Sequence, residues 1–386
     1  MNKNFLKVIF SELVRIGTSP LRLLPIKKNR ILFTGLTGGK SYDYSCNPKY
    51  LYEYLRDNYP GEYEYVWAVS DKEKYSFLEE EGVKLIKHFT VSSFPMLLTS
   101  QIVVTNGSYA PWFPFRKGQY VINTWHGGGA YKKVENEAPG ADWATRKRAR
   151  FCANNIDLFL ASCKVQEEQM IKTTYQYQGD ILRAGTPRND KLVNGDIKGM
   201  AQKVRKRYNI DEDVKILLYA PTYRNANPPV VFDGERIRKT LESKGERWVI
   251  LSRFHRYQEE DMNVTVTGED VIDVADYPDM QELLAATDIL VTDYSSVIWD
   301  YMPLHRPGFL YVPDKASYVE HTGFYVGLDE WPFEQAMCME ELESKLCSFD
   351  MQTMVQRIEK HRKELESYET GTCCQMLADK IAQKVR

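Results

Sequence analysis

The sequence predicts an α/β protein of two doubly wound domains, each a parallel sheet covered by helices on both faces. Three observations carry this. The chain has 386 residues, about twice the ~100–200 residues of an average domain. Short β-rich apolar runs alternate with helix-like stretches along most of it. Those runs fall into two series separated by a charged segment, as two sheets buried on both faces require.

Residues 1–29 come first. Lys3, Lys7, Arg15, Arg22, Lys27 and Lys28 stand against a single acid, Glu12, and between them lie Phe5, Leu6, Ile9, Phe10, Leu13, Leu21, Leu23 and Leu24. A basic segment with an apolar face is suited to the headgroup region of an anionic bilayer. The plainer alternative is a helix packed on its own domain with a solvated basic face. No run reaches the ~18 apolar residues of a membrane-spanning helix, and no signal peptide is evident.

The first series of runs is Ile31–Thr34, Tyr65–Val69, Ile102–Thr105, Tyr120–Thr124, Leu158–Ala161 and Ile181–Ala184. Asn47 followed by Pro48 predicts a helix start, with Asn47 as the cap. These elements give a domain over 30–204. The boundary falls in the charged stretch 195–213, where a short basic helix is expected to precede the second domain, 205–386. The second series is Ile216–Ala220, Trp248–Ser252, Val271–Val274, Ile289–Thr292 and Phe309–Val312, with helical pattern from Gln352 onward. Two such domains facing each other leave a cleft outside the carboxyl ends of their strands, where ligands bind.

Composition excludes several classes. The net charge of −2 gives no bulk attraction to nucleic acid. The seven cysteines are dispersed and odd in number, which reads as reduced thiols in a cytoplasm. No P-loop, GxGxxG or GxSxG motif occurs. Asp211 and Asp213 have metal-ligand spacing but precede a strand, so they read as solvated surface.

Five motifs sit where strands end. In Asn123–Gly129 (NTWHGGG), His126 borders glycines that let a substrate approach the backbone; it reads as a general base on a hydroxyl, or as a structural histidine in a tight turn. In Asp293–Ser296 (DYSS), a strand turns into a helix whose start offers N–H groups and hydroxyls to phosphate, with Ser295 as cap candidate. A plain serine cap is the alternative, and Pro303 limits the helix. In Ile250–Arg256, Arg253 and His255 are placed to clamp a diphosphate or to form a solvated basic loop. Arg224, in APTYRN, is a phosphate-ligand candidate or a surface arginine. In GTPRND, Asn189 and Asp190 read as helix caps beside Arg188.

WHG, GTPRND, APTYR, a histidine after the next core strand, and TDYSSVIWDY follow in that order. Together they resemble the CDP-glycerol glycerophosphotransferase family, which includes the teichoic-acid primases and polymerases. The likeness runs from about Arg30 to Gly323–Tyr325 and includes the opening FTGLTGGKSYDYSCNPKYLYEYL. It implies two Rossmann-like domains of the GT-B type, a donor site in the C-terminal domain, and peripheral attachment at the cytoplasmic face of the cell membrane. It also implies His126 as base or orienter of the acceptor hydroxyl, with Trp125, Gly127, Gly128 and Arg188 in the acceptor loop. His255 and Arg253 would meet the donor diphosphate, Ser295 and Ser296 would hold phosphate, and Thr222, Arg224 and Asp293 would line the donor site. The sequence departs from the family pattern in two places: Gly128–Gly129 replace Thr-Pro after WHG, and Arg256 replaces proline after His255.

The expected reaction is transfer of glycerol phosphate, or a related polyol phosphate, from a CDP-activated donor to a hydroxyl of a lipid-linked saccharide or polymer, with release of CMP. The setting is teichoic-acid or capsule-type synthesis. No cofactor and no metal are called for. A chain of this length leans toward single addition. The alternatives are a glycosyltransferase using a nucleotide sugar and a noncatalytic membrane-surface scaffold.

Overall fold

The computed structural model describes residues 10 and 12–385, except 38–40, 89, 109–112, 114, 130, 223, 225 and 255–262. Two compact units result. The first is Met1–His126, Val134–Asp190 and Tyr368–Arg386; the second is Gly127–Lys133 and Lys191–Ser367.

The strands of the first unit's main sheet are β1 (Lys27–Thr34), β2 (Glu64–Val69), β3 (Lys84–Lys87), β4 (Ser100–Thr105), β5 (Tyr120–Asn123), β6 (Leu158–Ala161) and β7 (Asp180–Arg183). They form one parallel sheet in the order β3-β2-β1-β4-β5-β6-β7. Ile31, Leu32, Phe33, Val66, Trp67, Ile102, Val103 and Val104 are fully buried, as central strands covered on both faces demand. Phe33 and Trp67 stack at 5.3 Å in this core. The strand order reverses between β1 and β4, which makes their carboxyl ends a topological switch point.

The strands of the second unit are β8 (Lys215–Tyr219), β9 (Val230–Asp233), β10 (Trp248–Ser252), β11 (Val264–Thr267), β12 (Val271–Asp273), β13 (Ile289–Thr292), β14 (Gly308–Tyr311) and β15 (Glu334–Ala336). The main sheet runs β12-β10-β8-β13-β14-β15, all parallel, with β9 and β11 paired apart from it. Its order repeats that of the first unit, and its switch point lies between β8 and β13.

Every apolar run read from the sequence is a strand. The strands not read are short or peripheral: β3 and β15 are edges of their sheets, β9 and β11 pair only with each other, and so do the two-residue strands Leu36–Thr37 and Ser41–Tyr42.

Helices that bear on the site are α1 (Cys46–Asn58), α2 (Ile197–Tyr208), α3 (Met280–Ala286), α4 (Val297–Tyr301) and α5 (Cys373–Val385). Two of them shift the division expected at 204/205. The basic helix α2 exists, but it packs on α3 with Met200 and Val204 buried, and the second unit takes in the chain from Lys191 onward, not from 205. Helix α5 returns to the first unit. Asp190 accepts the N–H of Cys373 (3.0 Å) and of Cys374 (2.7 Å), the unsatisfied donors at the start of α5. Asp190 therefore caps a helix, though one at the far end of the chain. Burial raises its carboxyl above the ordinary range despite these bonds.

Candidate functional site

In the first unit, three strand ends meet at the switch point. Leu36 follows β1, Asn106 follows β4, and Asn123–His126 close β5. The fully buried Asn106 is held from both sides: its Oδ1 accepts from Leu36 N (2.7 Å), and its Nδ2 donates to Leu36 O (3.1 Å). The backbone carbonyl of Asn106 then accepts a hydrogen bond from Nδ1 of the exposed His126, at 2.8 Å. A carbonyl can only accept, so Nδ1 carries the proton and the neutral ring has its lone pair on Nε2. That is the tautomer a general base needs.

The turn before His126 is strained and tightly held. Trp125 has φ +53°, in the left-handed region that non-glycine residues seldom adopt. Its N–H donates to Asn123 Oδ1 (2.8 Å), and its carbonyl accepts from Asn47 Nδ2 (2.8 Å). Asn47 is thus not the cap of α1, as expected; Ser45 is, and Asn47 is a fully buried clamp on this turn. Arg188 is also buried. Its Nη1 donates to the carbonyl of His126 (2.7 Å) and to Cys46 Sγ (3.0 Å), and its N–H donates to Asn47 Oδ1 (3.3 Å). Its charge is turned onto the loop that carries His126. In the same motif, Glu369 accepts from Thr186 N (3.1 Å), Thr186 Oγ1 (2.9 Å) and Asn189 Nδ2 (3.2 Å).

Gly127, Gly128 and Gly129 are buried. They were expected to make room for a substrate; instead, the indole of Trp299 fills the space beside Gly128 and Gly129.

In the second unit, the switch point holds a network of charges. Asp293, fully buried after β13, accepts from Thr222 N (2.8 Å), Thr222 Oγ1 (2.6 Å) and Arg224 Nη1. Arg224 turns its other side to Asp314, with Nε at 2.6 Å and Nη2 at 2.9 Å in a two-pronged pair. Tyr294 OH donates to the same carboxylate (3.0 Å), and the Tyr294 ring stacks on Tyr318 at 3.7 Å. Arg224 is neither a surface arginine nor an open phosphate ligand: it is 7% exposed and shared between two aspartates. Thr222 and Asp293 belong to the same framework.

The framework fixes the turn that leads to Ser295 and Ser296, both half-buried. Ser296, not Ser295, is the cap residue of α4, and it makes no side-chain cap bond. Ser295 Oγ accepts from Val297 N at 3.4 Å. Helix α4 has five residues before a 3-10 turn containing Pro303, Met302–Leu304. So short a helix has a small dipole; local N–H groups and the two hydroxyls are what the turn offers an anion. Arg253 is half-buried just after β10, its N–H donating to Tyr219 O (2.9 Å). His255 lies outside the described residues.

Sequence reasoning passed over Asn106 and Asp314 and misassigned Asn47. Asn106 and Asp314 both follow core strands, Asn106 next to Gly107 and Asp314 after Pro313. A polar residue just beyond a core strand was the available signal. Among the described residues, no group of side chains is arranged to hold a metal ion, and no helix is long and apolar enough to cross a membrane.

Comparison with known proteins bears on the family and the fold. The teichoic acid poly(glycerol phosphate) polymerase of Bacillus spizizenii is 29% identical over 348 residues, 86% of each chain. The teichoic acid glycerol-phosphate transferase of Staphylococcus aureus is 29% identical over 84% of this chain and 85% of its own. The polymerase of Bacillus subtilis is also 29% identical, but this chain spans only 42% of its length. Among solved structures, the wall teichoic acid polymerase TagF superposes with a TM-score of 0.80 at 25% identity, covering 99% of this chain and 98% of that one. This supports the GT-B fold class. The family model for CDP-glycerol:poly(glycerophosphate) glycerophosphotransferase matches residues 18–383, and the chain belongs to that enzyme family.

Proposed function

We propose that this enzyme transfers glycerol phosphate from CDP-glycerol to a hydroxyl of a lipid-linked saccharide or polymer at an anionic membrane surface, releasing CMP. The observation that carries the reading is the His126 imidazole, exposed and with Nδ1 fixed on the Asn106 carbonyl. The acceptor hydroxyl attacks the β-phosphorus of the donor in line. The bond from that phosphorus to the bridging oxygen breaks, CMP departs, and the hydroxyl proton passes to His126 Nε2. The turn at Ser295–Ser296 and the side chains of Arg253 and His255 are assigned to the diphosphate, where they offset charge building on the departing CMP. Trp125, Gly127, Gly128 and Arg188 shape the loop that carries the base.

One structure of TagF was obtained with CDPG soaked into the crystal, which supports CDP-glycerol as donor. The open side chains of Phe10, Leu13, Ile16 and Leu23 support the membrane-surface role of residues 1–29. Length does not favour single addition, because a named polymerase is matched over 86% of its own chain.

The test is CMP release by purified protein from CDP-glycerol, CDP-ribitol and UDP- and GDP-sugars, with and without a lipid-linked acceptor. Acceptor-dependent release from CDP-glycerol supports the reading. Turnover of CDP-ribitol alone changes the donor, and turnover of nucleotide sugars alone overturns the chemistry. Full activity is expected after EDTA treatment.

A further inference from the structure

Behind the base lies a buried polar group that the transfer reaction does not use, the hydroxyl of Tyr175. Tyr175 belongs to the first unit, as do His126 and every residue named around them below. It ends a π-helical stretch, Gln166–Thr174, and its N–H donates to Met170 O (3.0 Å). Such winding is rare and recurs at functional sites. The Tyr175 ring bears on one support of His126. It meets the Trp125 indole edge to face, at 5.8 Å and 79°. The fully buried Phe159 packs on both, 5.6 Å from Tyr175 and 6.5 Å from Trp125. The indole in turn lies 4.3 Å from the His126 ring. Trp125 is the residue with φ +53°, and backbone in that region persists only where its surroundings hold it.

The Tyr175 hydroxyl bears on the other support. It lies 2.8 Å from Ser108 Oγ and 3.4 Å from Glu135 Oε1. Ser108 Oγ donates to Glu135 Oε1 (3.0 Å), and Arg148 Nη2 donates to Glu135 Oε2 (2.9 Å). A carboxylate only accepts, so the Ser108 proton points to Glu135 and Tyr175 donates to Ser108. Burial first, and then the charge of Glu135, raise the Tyr175 hydroxyl well above its ordinary value, so it stays a donor. Ser108 stands two residues beyond Asn106, whose carbonyl accepts from His126 Nδ1. Between them, Gly107 O accepts from Asn123 Nδ2 (3.3 Å), which ties this loop to the end of β5.

We propose that Tyr175 is a positioning residue for His126. Its ring seats the indole of the residue before the base, and its hydroxyl anchors the loop whose carbonyl fixes the tautomer of the base. The two supports of His126 thus converge on one buried side chain. The inference rests on the reading of His126 as the base.

Variants of the full chain test it, read by kcat and donor KM for CMP release. Tyr175→Phe keeps the ring and removes only the hydroxyl. It is expected to lower kcat roughly tenfold with donor KM changed less than about threefold, because what changes is the placement of the base. Ser108→Ala breaks the same link and should match it, and the double variant should fall less than about twofold below either single one. Tyr175→Leu also removes the seat of the indole and should lower kcat roughly 100-fold. In a His126→Ala background each of these losses should shrink to less than about twofold, because they pass through His126. A purely structural role would keep its full cost there. Normal kcat in Tyr175→Phe, or an equal loss in the His126→Ala background, overturns the positioning role and leaves the base assignment standing. If His126→Ala alone keeps wild-type kcat, the base assignment falls, and the proposal with it. Should Tyr175→Leu fail to fold, Tyr175→Phe and Ser108→Ala carry the test, since each removes a single oxygen and no packed carbon.

Discussion

The carbonyl of Asn106 accepts a hydrogen bond from His126 Nδ1, and the side chain of Asn106 is itself bonded twice to the backbone of Leu36. The tautomer of the proposed base is thus set by a backbone carbonyl, and that carbonyl is held by the side chain of its own residue, which ties the end of β4 to the backbone after β1, two strands from β5 in the sheet order β1-β4-β5.

The first prediction follows from that chain of contacts. His126→Ala should lower kcat for CMP release by about 10²–10⁴, the usual worth of a general base. Asn106→Ala keeps the backbone carbonyl but frees it from Leu36, so the loss should be smaller, roughly tenfold, and confined to kcat. Steady-state kinetics on both variants checks this. An Asn106→Ala enzyme with normal kcat would show that the Leu36 clamp is irrelevant to catalysis.

Arg224 gives a prediction that separates structure from ligand binding. Removing it leaves Asp293 and Asp314 buried without their cation, a change that destabilises by about 3–5 kcal/mol. Arg224→Ala should therefore unfold at much lower denaturant than wild type. Arg224→Lys should recover only part of the loss, because an ammonium cannot fork to Asp314 while reaching Asp293. Denaturant unfolding followed by intrinsic fluorescence reads the difference. An Arg224→Ala protein of normal stability that no longer binds CDP-glycerol would restore the donor-ligand role first read from the sequence.

Much of the fold was legible because its strands are covered on both faces. Runs such as Ile102–Thr105 and Ile289–Thr292 are continuous and apolar, a pattern short strands of this kind cannot avoid. The division of the chain was not legible, because it depends on Asp190 meeting Cys373 and Cys374 across the full length of the second unit. No local pattern encodes so distant a pairing. At the site, the placement of His126 and the DYSS turn at strand ends could be read, since each follows an apolar run. The duties of Arg224 and Gly128 could not: a buried arginine and a glycine under an indole look, in sequence, like a phosphate ligand and an open loop.

That distant pairing supplies a third prediction. Asp190 caps α5 by accepting two backbone N–H groups, so Asp190→Asn, which keeps one acceptor oxygen, should cost about 1 kcal/mol, and Asp190→Ala about 2. Deleting α5 should be far more damaging, since Cys373, Leu377, Ala378 and Ile381 lie in the core of the first unit. Thermal unfolding measures the series. If the α5 deletion melts like wild type, the helix is not part of that core.

The last prediction concerns acid. Burial lowers His361 to about 4 and His88 to about 3, from an ordinary 6.5. Glu364 and Glu330 pull His361 the other way without offsetting its burial. Both histidines are therefore neutral in the folded protein over a range where the unfolded chain would protonate them. Between about pH 6.5 and 4 the unfolded state binds more protons, so stability falls as pH is lowered through that window and is unaffected by these groups above it. For His361 the shift corresponds to about 3 kcal/mol at full effect. Because His361 Nε2 meets the hydroxyl of Tyr131 at 3.0 Å, the loss should be felt in the packing around Tyr131. His361→Gln should unfold with a shallower dependence on pH below about 6 than wild type, in urea titrations at several pH values. An unchanged slope would mean that His361 is protonated in the folded state and that burial does not govern its charge.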